Sequence, residues 1–91
     1  MEWDEIKRQK NLKKHGLDFA LADYVLESPF RLDVSIIRNN ESRTQSFAYV
    51  FDYLAVLSVV HSKNGTRIIS FRRASREERE VYHEWLANEP E

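Results

Sequence analysis

The amino-acid sequence predicts an α+β fold, in which two helices come first, an antiparallel sheet of about four strands follows, and one helix ends the chain. Apolar residues recur at helical spacing near both ends of the chain, whereas between them they alternate with a period of two. The pair Asn64-Gly65 is a strong hairpin signal between the last two strands. With 91 residues, the chain is expected to form a single domain over residues 1–91.

Two helices are expected at the N-terminus. The first begins after Asp4, whose side chain can cap it, and ends before Gly16, a residue type that often adopts the left-handed conformation at a helix end. Asp18 is the expected cap of a second helix over residues 19–27. Pro29 stops that helix, because proline disfavours helical geometry in the residue before it.

The sheet is expected to have four strands, provided that the first three residues stay outside it. The first two strands alternate apolar and polar residues, whereas the third is apolar on both faces and is typical of a central strand. A polar loop separates the first two strands. The expected strands cover residues 30–36, 43–51, 54–60 and 66–72.

The last helix is expected to begin at residue 75 or 76. Ser75 and Glu78 match the capping box, in which a serine and a glutamate three residues later satisfy each other's backbone amides. Tyr82 and Trp85 fall on one apolar face, and this spacing indicates core packing rather than stacking on nucleic-acid bases.

Composition excludes several kinds of site. The chain has no cysteine and its three histidines show no metal-ligand spacing, so neither a metal site nor a cofactor is expected. No apolar run approaches the roughly 20 residues of a membrane helix, and the N-terminus is acidic where a secretory signal would be basic. We therefore expect a cytoplasmic protein without a membrane partner.

Charge is segregated along the chain, although the net charge is only -1. Residues 63–76 contain five cations and no acid, and residues 7–14 contain five more cations. Residues 77–91 carry six glutamates against a single arginine. The basic segments therefore indicate an anionic ligand.

The candidate catalytic residues lie around the last hairpin, and they are His61, Lys63, Arg67, Arg72 and Arg73. Strand alternation sends His61 to the face of Leu57 and Val59, with cations expected beside it and across the hairpin. Fixed cations stabilise the negative transition state formed when a 2′-hydroxyl attacks the adjacent phosphate. A histidine suits acid or base catalysis near neutral pH. This pattern suits metal-free RNA cleavage.

Each of these residues also has a structural interpretation. A histidine at the end of an apolar strand is more often a hydrogen-bonded structural residue than a catalytic one. Arg76 can pair with Glu80 on the surface of the last helix, and the basic first helix can be a solvated face. From the residues alone, the prediction is therefore a small anion-binding α+β domain.

Two blocks of the sequence resemble the BrnT family of toxins. The first block contains W-D-x-x-K from Trp3 to Lys7 and N-L-K-K-H-G-L-D-F from Asn11 to Phe19. The second contains R-I-I-S-F-R-R-A from Arg67 to Ala74, followed by Glu78 and Tyr82. Both blocks lie in the order of the family, and together they span nearly the whole chain.

This resemblance implies a RelE-like fold and a ribonuclease toxin that cuts messenger RNA and inhibits translation. It also implies a cognate BrnA-like antitoxin with a ribbon-helix-helix domain, an assembly of two toxins with two antitoxins, and binding to operator DNA only through the antitoxin. The candidate substrate-binding residues, which include the matching Lys14 and His15 and a weaker match at Arg43, are Lys10, Lys14, His15, Arg43 and Arg76.

The sequence also departs from the family pattern. Phe71 stands where the family has a small alanine, and the strand around Phe47 lacks the usual Ile-Gly. Because the added aromatic ring is expected to narrow the active face, a weak or inactive binding module that only complexes its antitoxin and co-represses the operon is an alternative. A DNA-binding subunit is a weaker third interpretation, since no helix-turn-helix is evident.

Overall fold

The structure, a computed structural model, describes residues 1–88. Its elements in chain order are β1 (Glu2–Trp3), α1 (Glu5–His15), α2 (Asp23–Leu26), β2 (Leu32–Arg38), β3 (Glu41–Val50), β4 (Ala55–Ser62), β5 (Arg67–Arg73) and α3 (Arg76–Ala87). The strands form one sheet in the order β1-β5-β4-β3-β2, antiparallel throughout except between β1 and β5. The α+β class is confirmed.

The sheet has five strands rather than about four, because the N-terminus joins it. Glu2 lies beside Arg67 and Trp3 beside Ile68 in parallel register, and the amide of Glu2 donates to the carbonyl of Thr66 at 2.8 Å. The expectation that this segment stays outside the sheet is wrong. Two residues are too few to show an alternating pattern, so the signal that reveals the other strands is absent here.

Both ends of α1 follow the predicted capping residues. The side chain of Asp4 accepts hydrogen bonds from the amides of Ile6 and Lys7 at 2.9 and 3.2 Å. Gly16 ends the helix with φ +70°, a conformation that side-chain-bearing residues rarely adopt, and its amide donates to the carbonyl of Leu12. The residues at which α1 begins and ends are therefore set by local sequence.

The second helix is shorter than predicted. Residues 19–27 do not form one α-helix but a 3-10 turn over Phe19–Leu21, followed by the single turn of α2. Phe19, Ala22 and Val25 are all buried, and they recur every three residues, which matches the 3-10 repeat as well as the helical one. Asp18 caps the 3-10 turn, where its carboxylate accepts from the amide of Ala20 at 3.0 Å.

Two tight turns set the register of the sheet. The β2–β3 connection is only Asn39-Asn40, both with positive φ, which suits a two-residue hairpin and replaces the longer polar loop that we expect. At its other end β2 begins two residues later than predicted, and Phe30 lies outside it with 56% of its surface exposed. The β4–β5 turn contains Asn64 and Gly65 (φ +74°), as predicted.

Each face of the sheet has its own apolar core. On the α1 face, α1 and α2 cover a cluster that includes Leu57, Val59 and Phe71. On the α3 face, Tyr82 packs against Phe47, Val56 and Ala74, and its hydroxyl donates to the carbonyl of Phe30 at 2.8 Å. Phe71 is fully buried on the α1 face, so it does not narrow the opposite face as expected.

α3 begins with the predicted capping box. The hydroxyl of Ser75 accepts from the amide of Glu78 at 3.2 Å, and the carboxylate of Glu78 accepts from the amide of Ser75 at 2.8 Å. Trp85 and Leu86, in the second half of the helix, pack against the same cluster as Tyr82, and so does Leu32 of β2. The helix thus crosses only part of its face of the sheet, and a cavity remains beside it.

Candidate nucleic-acid interface

A cavity of about 430 Å³ lies on the α3 face beside the first turn of α3. Its charged lining residues are three arginines and one glutamate. Its lining residues are Ile36, Ile37, Arg38, Arg43, Gln45, Val60, Ile69, Ser70, Arg72 and Glu78. The cavity is therefore a place where an anion can contact several guanidinium groups at once.

Arg72 reaches the cavity from β5, where it lies opposite Ser58. Its two terminal nitrogens donate to the carboxylate of Glu78 at 2.7 and 3.0 Å, and one of them also donates to the carbonyl of Arg73 at 3.1 Å. A guanidinium has five N–H donors, so Nε and one terminal N–H have no partner within residues 1–88. Arg72 is thus held rigidly and is partly neutralised, but it still has free donors.

Glu78 is the acceptor at the centre of this arrangement. Besides Arg72 it accepts from the amide of Ser75 at 2.8 Å and from Nε2 of Gln45 at 3.1 Å, while the same Gln45 nitrogen donates to the hydroxyl of Ser58 at 3.0 Å. The hydrogen bond from Arg72 lowers the pKa of Glu78 to about 2. The carboxylate therefore stays ionised, and it fixes the guanidinium group of Arg72.

Arg43, on β3, is the second cation of the cavity. Its side chain is only 17% exposed, and its Nε is buried without a hydrogen-bond acceptor in the described chain. The closest carboxylate oxygen, on Glu41, lies 3.7 Å from that Nε. An atom without accessible surface cannot contact a ligand, so Arg43 can bind an anion only through its terminal nitrogens, which make no hydrogen bond within residues 1–88.

A shallower groove of about 340 Å³ continues this surface onto α1. Its lining residues are Lys7, Lys10, Asn11, Lys14, His15 and Ile69, and Ile69 also borders the cavity. Burial lowers the pKa of His15, and the positive charges of Lys14 and Arg72 lower it further. At neutral pH His15 is therefore a neutral imidazole close to Arg72.

Asn11 attaches α1 to the exposed edge of β5. Its side-chain nitrogen donates to the carbonyls of Leu17 and Phe71 at 2.9 and 2.7 Å, and its oxygen accepts from the amide of Phe71 at 3.1 Å. The amide group thus pairs with the strand as a neighbouring strand would. Since Phe71 precedes Arg72, this contact sets the position of the α1 groove relative to the cavity.

Cations far outnumber carboxylates around these two depressions. The linings contribute six cations, namely Lys7, Lys10, Lys14, Arg38, Arg43 and Arg72, and one carboxylate, Glu78. We call this combined surface the cationic site. Of the sequence-predicted residues, the cationic site brings together Lys10, Lys14, His15, Arg43 and Arg72.

His61 does not lie in the cationic site. It shares the α1 face with Val59, as strand alternation predicts, but that face is covered and the ring is only 7% exposed. Its two nitrogens are hydrogen-bonded to the hydroxyl of Ser46 and the carbonyl of Ser62 at 2.9 and 3.0 Å. The expectation that His61 shares a pocket with Arg72 is wrong. Arg72 pairs with Ser58 and faces the α3 side, whereas His61, three residues after Ser58 on the same strand, faces the α1 side.

The other predicted cations also lie outside the cationic site. Lys63 is exposed in the β4–β5 turn, and Arg67 lies 3.7 Å from the carboxylate of Glu41. Arg73 pairs with Leu57, which places it on the α1 side of the sheet. Arg76 is 84% exposed and pairs with Glu80, as its structural interpretation predicts. A single pocket with all five catalytic candidates does not form.

Six polar residues that line the cationic site are absent from the predicted catalytic and substrate-binding sets, namely Lys7, Asn11, Arg38, Gln45, Ser70 and Glu78. Gln45 could have been found from Arg43, since residues two apart on a strand share a face. The capping box reveals Glu78 as a helix cap, but nothing local shows that its carboxylate also binds Arg72. Asn11 has no local signal, because its partner Phe71 lies 60 residues away.

Comparison with known proteins identifies a family. A family model described as "Ribonuclease toxin, BrnT, of type II toxin-antitoxin system" matches residues 3–78, which include both parts of the cationic site. No curated protein matches the chain. Within residues 1–88, no cluster of three or more His, Cys, Asp or Glu side chains is arranged to hold a metal ion, and no helix has the length and apolar character needed to span a membrane.

Proposed function

Because the chain belongs to the BrnT family of ribonuclease toxins of type II toxin-antitoxin systems, we propose that it cleaves messenger RNA without a metal ion and thereby inhibits translation. The observation that carries this proposal is the cationic site, with six cations around one carboxylate. RNA offers a line of phosphates, and the cavity and groove together can contact more than one of them.

The proposed reaction uses the 2′-hydroxyl of the RNA as the nucleophile. Its oxygen attacks the adjacent phosphorus, the bond to the 5′-oxygen breaks, and a 2′,3′-cyclic phosphate and a 5′-hydroxyl result. Arg43 and Arg72 bind the phosphate oxygens, whose negative charge increases in the transition state. The proposed donors are the free Nε of Arg72 and the terminal nitrogens of Arg43, which make no hydrogen bond within residues 1–88.

We assign the base to His15 rather than to His61. A base must take the proton of the 2′-hydroxyl in its neutral form, and burial together with Lys14 and Arg72 lowers the pKa of His15. The groove exposes His15 beside the cavity, whereas His61 is buried on the other face. The leaving 5′-oxygen takes its proton from solvent at the mouth of the cavity.

The remaining features are carried over from the family resemblance as part of the same proposal. The chain is a single RelE-like domain that acts in the cytoplasm. Its antitoxin is BrnA-like with a ribbon-helix-helix domain, two toxins assemble with two antitoxins, and operator DNA is bound only through the antitoxin. The family itself implies an antitoxin partner.

Replacing Arg72 tests the proposal. We expect Arg72→Ala to reduce RNA cleavage by roughly 100- to 1000-fold, the usual effect of removing one preorganised donor from a charged transition state. The matched control is Arg76→Ala, which removes an exposed arginine outside the cationic site and should leave cleavage unchanged. Cleavage is measured with naked RNA and with translating ribosomes. Equal activities of the two variants would exclude Arg72 from the reaction.

One observation favours a second function. Glu78 holds two donors of Arg72, and a carboxylate at that place competes with a phosphate. A weak or inactive module that only complexes its antitoxin would show no cleavage by the wild-type chain, with ribosomes or without them. If competition by Glu78 is the cause, Glu78→Gln, which keeps the shape but removes the charge, should restore some cleavage.

A further inference from the structure

The end of the sheet away from the cationic site has an exposed apolar surface. It surrounds the turn between β3 and β4, where Phe51 is 77% and Leu54 is 72% exposed. Tyr24 and Tyr49 beside them are 46% and 44% exposed. We call Tyr24, Tyr49, Phe51, Asp52 and Leu54 the turn surface. Large apolar side chains concentrated in this way are typical of a protein interface.

Leu54 combines exposure with an unfavourable backbone conformation. It has φ +50° and ψ +41°, the left-handed region that glycine and asparagine adopt far more easily. An exposed leucine gains no burial that would offset this strain within the toxin itself. A turn selected for folding alone would carry a different residue, so Leu54 indicates a contact with another molecule.

The charge around the turn surface indicates what kind of molecule this is. A groove of about 370 Å³ runs beside Tyr24, Tyr49 and Phe51. Among the described residues that line it there are three carboxylates, those of Asp23, Glu27 and Asp52, and no cation. Carboxylates repel RNA and anionic lipids but attract lysine and arginine side chains. The groove therefore fits a protein segment that is both apolar and basic.

The turn surface is also distant from the cationic site. Arg43 lines the cavity near one end of β3, and Val50 ends that strand next to Phe51. Seven residues of extended strand correspond to roughly 23 Å. A partner bound at the turn surface is therefore separate from the RNA that we place in the cavity.

We propose that the turn surface binds the antitoxin, through a segment that packs apolar side chains on Phe51 and Leu54 and directs lysines or arginines to Asp23, Glu27 and Asp52. A second copy of the chain fits less well, because it would bring its cationic site to this end in a head-to-tail contact, which is not the contact of a two-fold symmetric dimer. The proposal rests on membership in a toxin-antitoxin family and is independent of the ribonuclease mechanism.

The double variant Phe51→Ser with Leu54→Asn tests this proposal. Asparagine tolerates the left-handed conformation, so the turn should keep its shape. Titration calorimetry with the purified cognate antitoxin should show a Kd at least roughly 30-fold weaker than for the wild-type chain, as for the loss of a central aromatic contact. The matched control is Ile6→Ser, which removes an apolar side chain that is 66% exposed on α1 and should leave the Kd unchanged.

Two further measurements separate the alternatives. Cleavage of naked RNA by the double variant without antitoxin should equal that of the wild-type chain. Equal cleavage would show that the turn surface is not part of the catalytic site. An unchanged antitoxin Kd overturns the proposal. It is also overturned if light scattering shows that the wild-type chain alone is a dimer and the double variant a monomer, because the surface then joins two toxins.

Discussion

At the scale of single residues, the two histidines that the sequence offers as site residues, His15 and His61, differ in what they can do. His61 uses both ring nitrogens in hydrogen bonds to Ser46 and Ser62, and it is buried. His15 lines a groove, and its pKa is lowered by burial and then by Lys14 and Arg72. A lowered pKa keeps a histidine neutral at neutral pH, the form that accepts a proton.

The pH dependence of cleavage follows from this shift. Activity requires neutral His15, so kcat/KM should fall on acidification only below the ordinary histidine value of 6.5. Lys14→Met removes one of the charges that lower the pKa of His15, so the acid limb should move to higher pH. The control is Lys13→Met, which removes an exposed lysine outside the groove. If the fall in kcat/KM at acidic pH persists in His15→Ala, a group other than His15 is the general base.

Four of the six cations of the cationic site could be predicted from the sequence, namely Lys10, Lys14, Arg43 and Arg72, but their grouping could not. Arg72 and Arg43 are both evident as candidates, yet only the structure shows that they meet. One reason is the irregularity in β5, where Val60 pairs with Ser70 and His61 with Ile68. The extra residue shifts the alternation by one, and a shift of one moves every following side chain to the other face.

At the scale of elements, the sequence predicts the helix ends and turns that are stabilised by contacts between residues close together in the chain. The caps of α1 and α3 and the Asn64-Gly65 turn are found where the sequence places them. The elements that differ from prediction depend on distant partners. β1 exists only because β5, more than 60 residues later, offers it an edge, and no pattern within two residues can indicate such a pairing.

The contact of α1 with β5 can be tested through Asn11. Asn11→Asp keeps the shape, but it places a carboxylate oxygen against the carbonyls of Leu17 and Phe71 at a site only 8% exposed. We expect the free energy of unfolding to fall by roughly 2 to 3 kcal/mol, measured by urea denaturation at pH 7. Gln9→Glu makes the same chemical change on an exposed part of α1 and should have little effect. Equal losses would show that added charge alone is responsible.

At the scale of the whole molecule, a net charge of -1 conceals a separation of charge. Six cations surround the cavity and the α1 groove, whereas three carboxylates line the groove near the turn surface. Such a molecule attracts RNA to one end and a basic protein segment to the other. The sequence indicates this segregation along the chain, but the fold determines which charges become neighbours.

The salt dependence of RNA binding measures how many of these cations contact phosphates. For single-stranded RNA each phosphate contact contributes about 0.7 to the slope of log K against log salt. Replacing Lys7, Lys10 and Lys14 with glutamine should therefore make that slope shallower by about 2. The control variant replaces three exposed cations outside the cationic site, Lys13, Lys63 and Arg76. It has the same net charge and should keep the wild-type slope. If the slope of log K against log salt becomes shallower by the same amount in both triple variants, RNA binding depends on net charge alone. The α1 groove is then not part of the RNA-binding site.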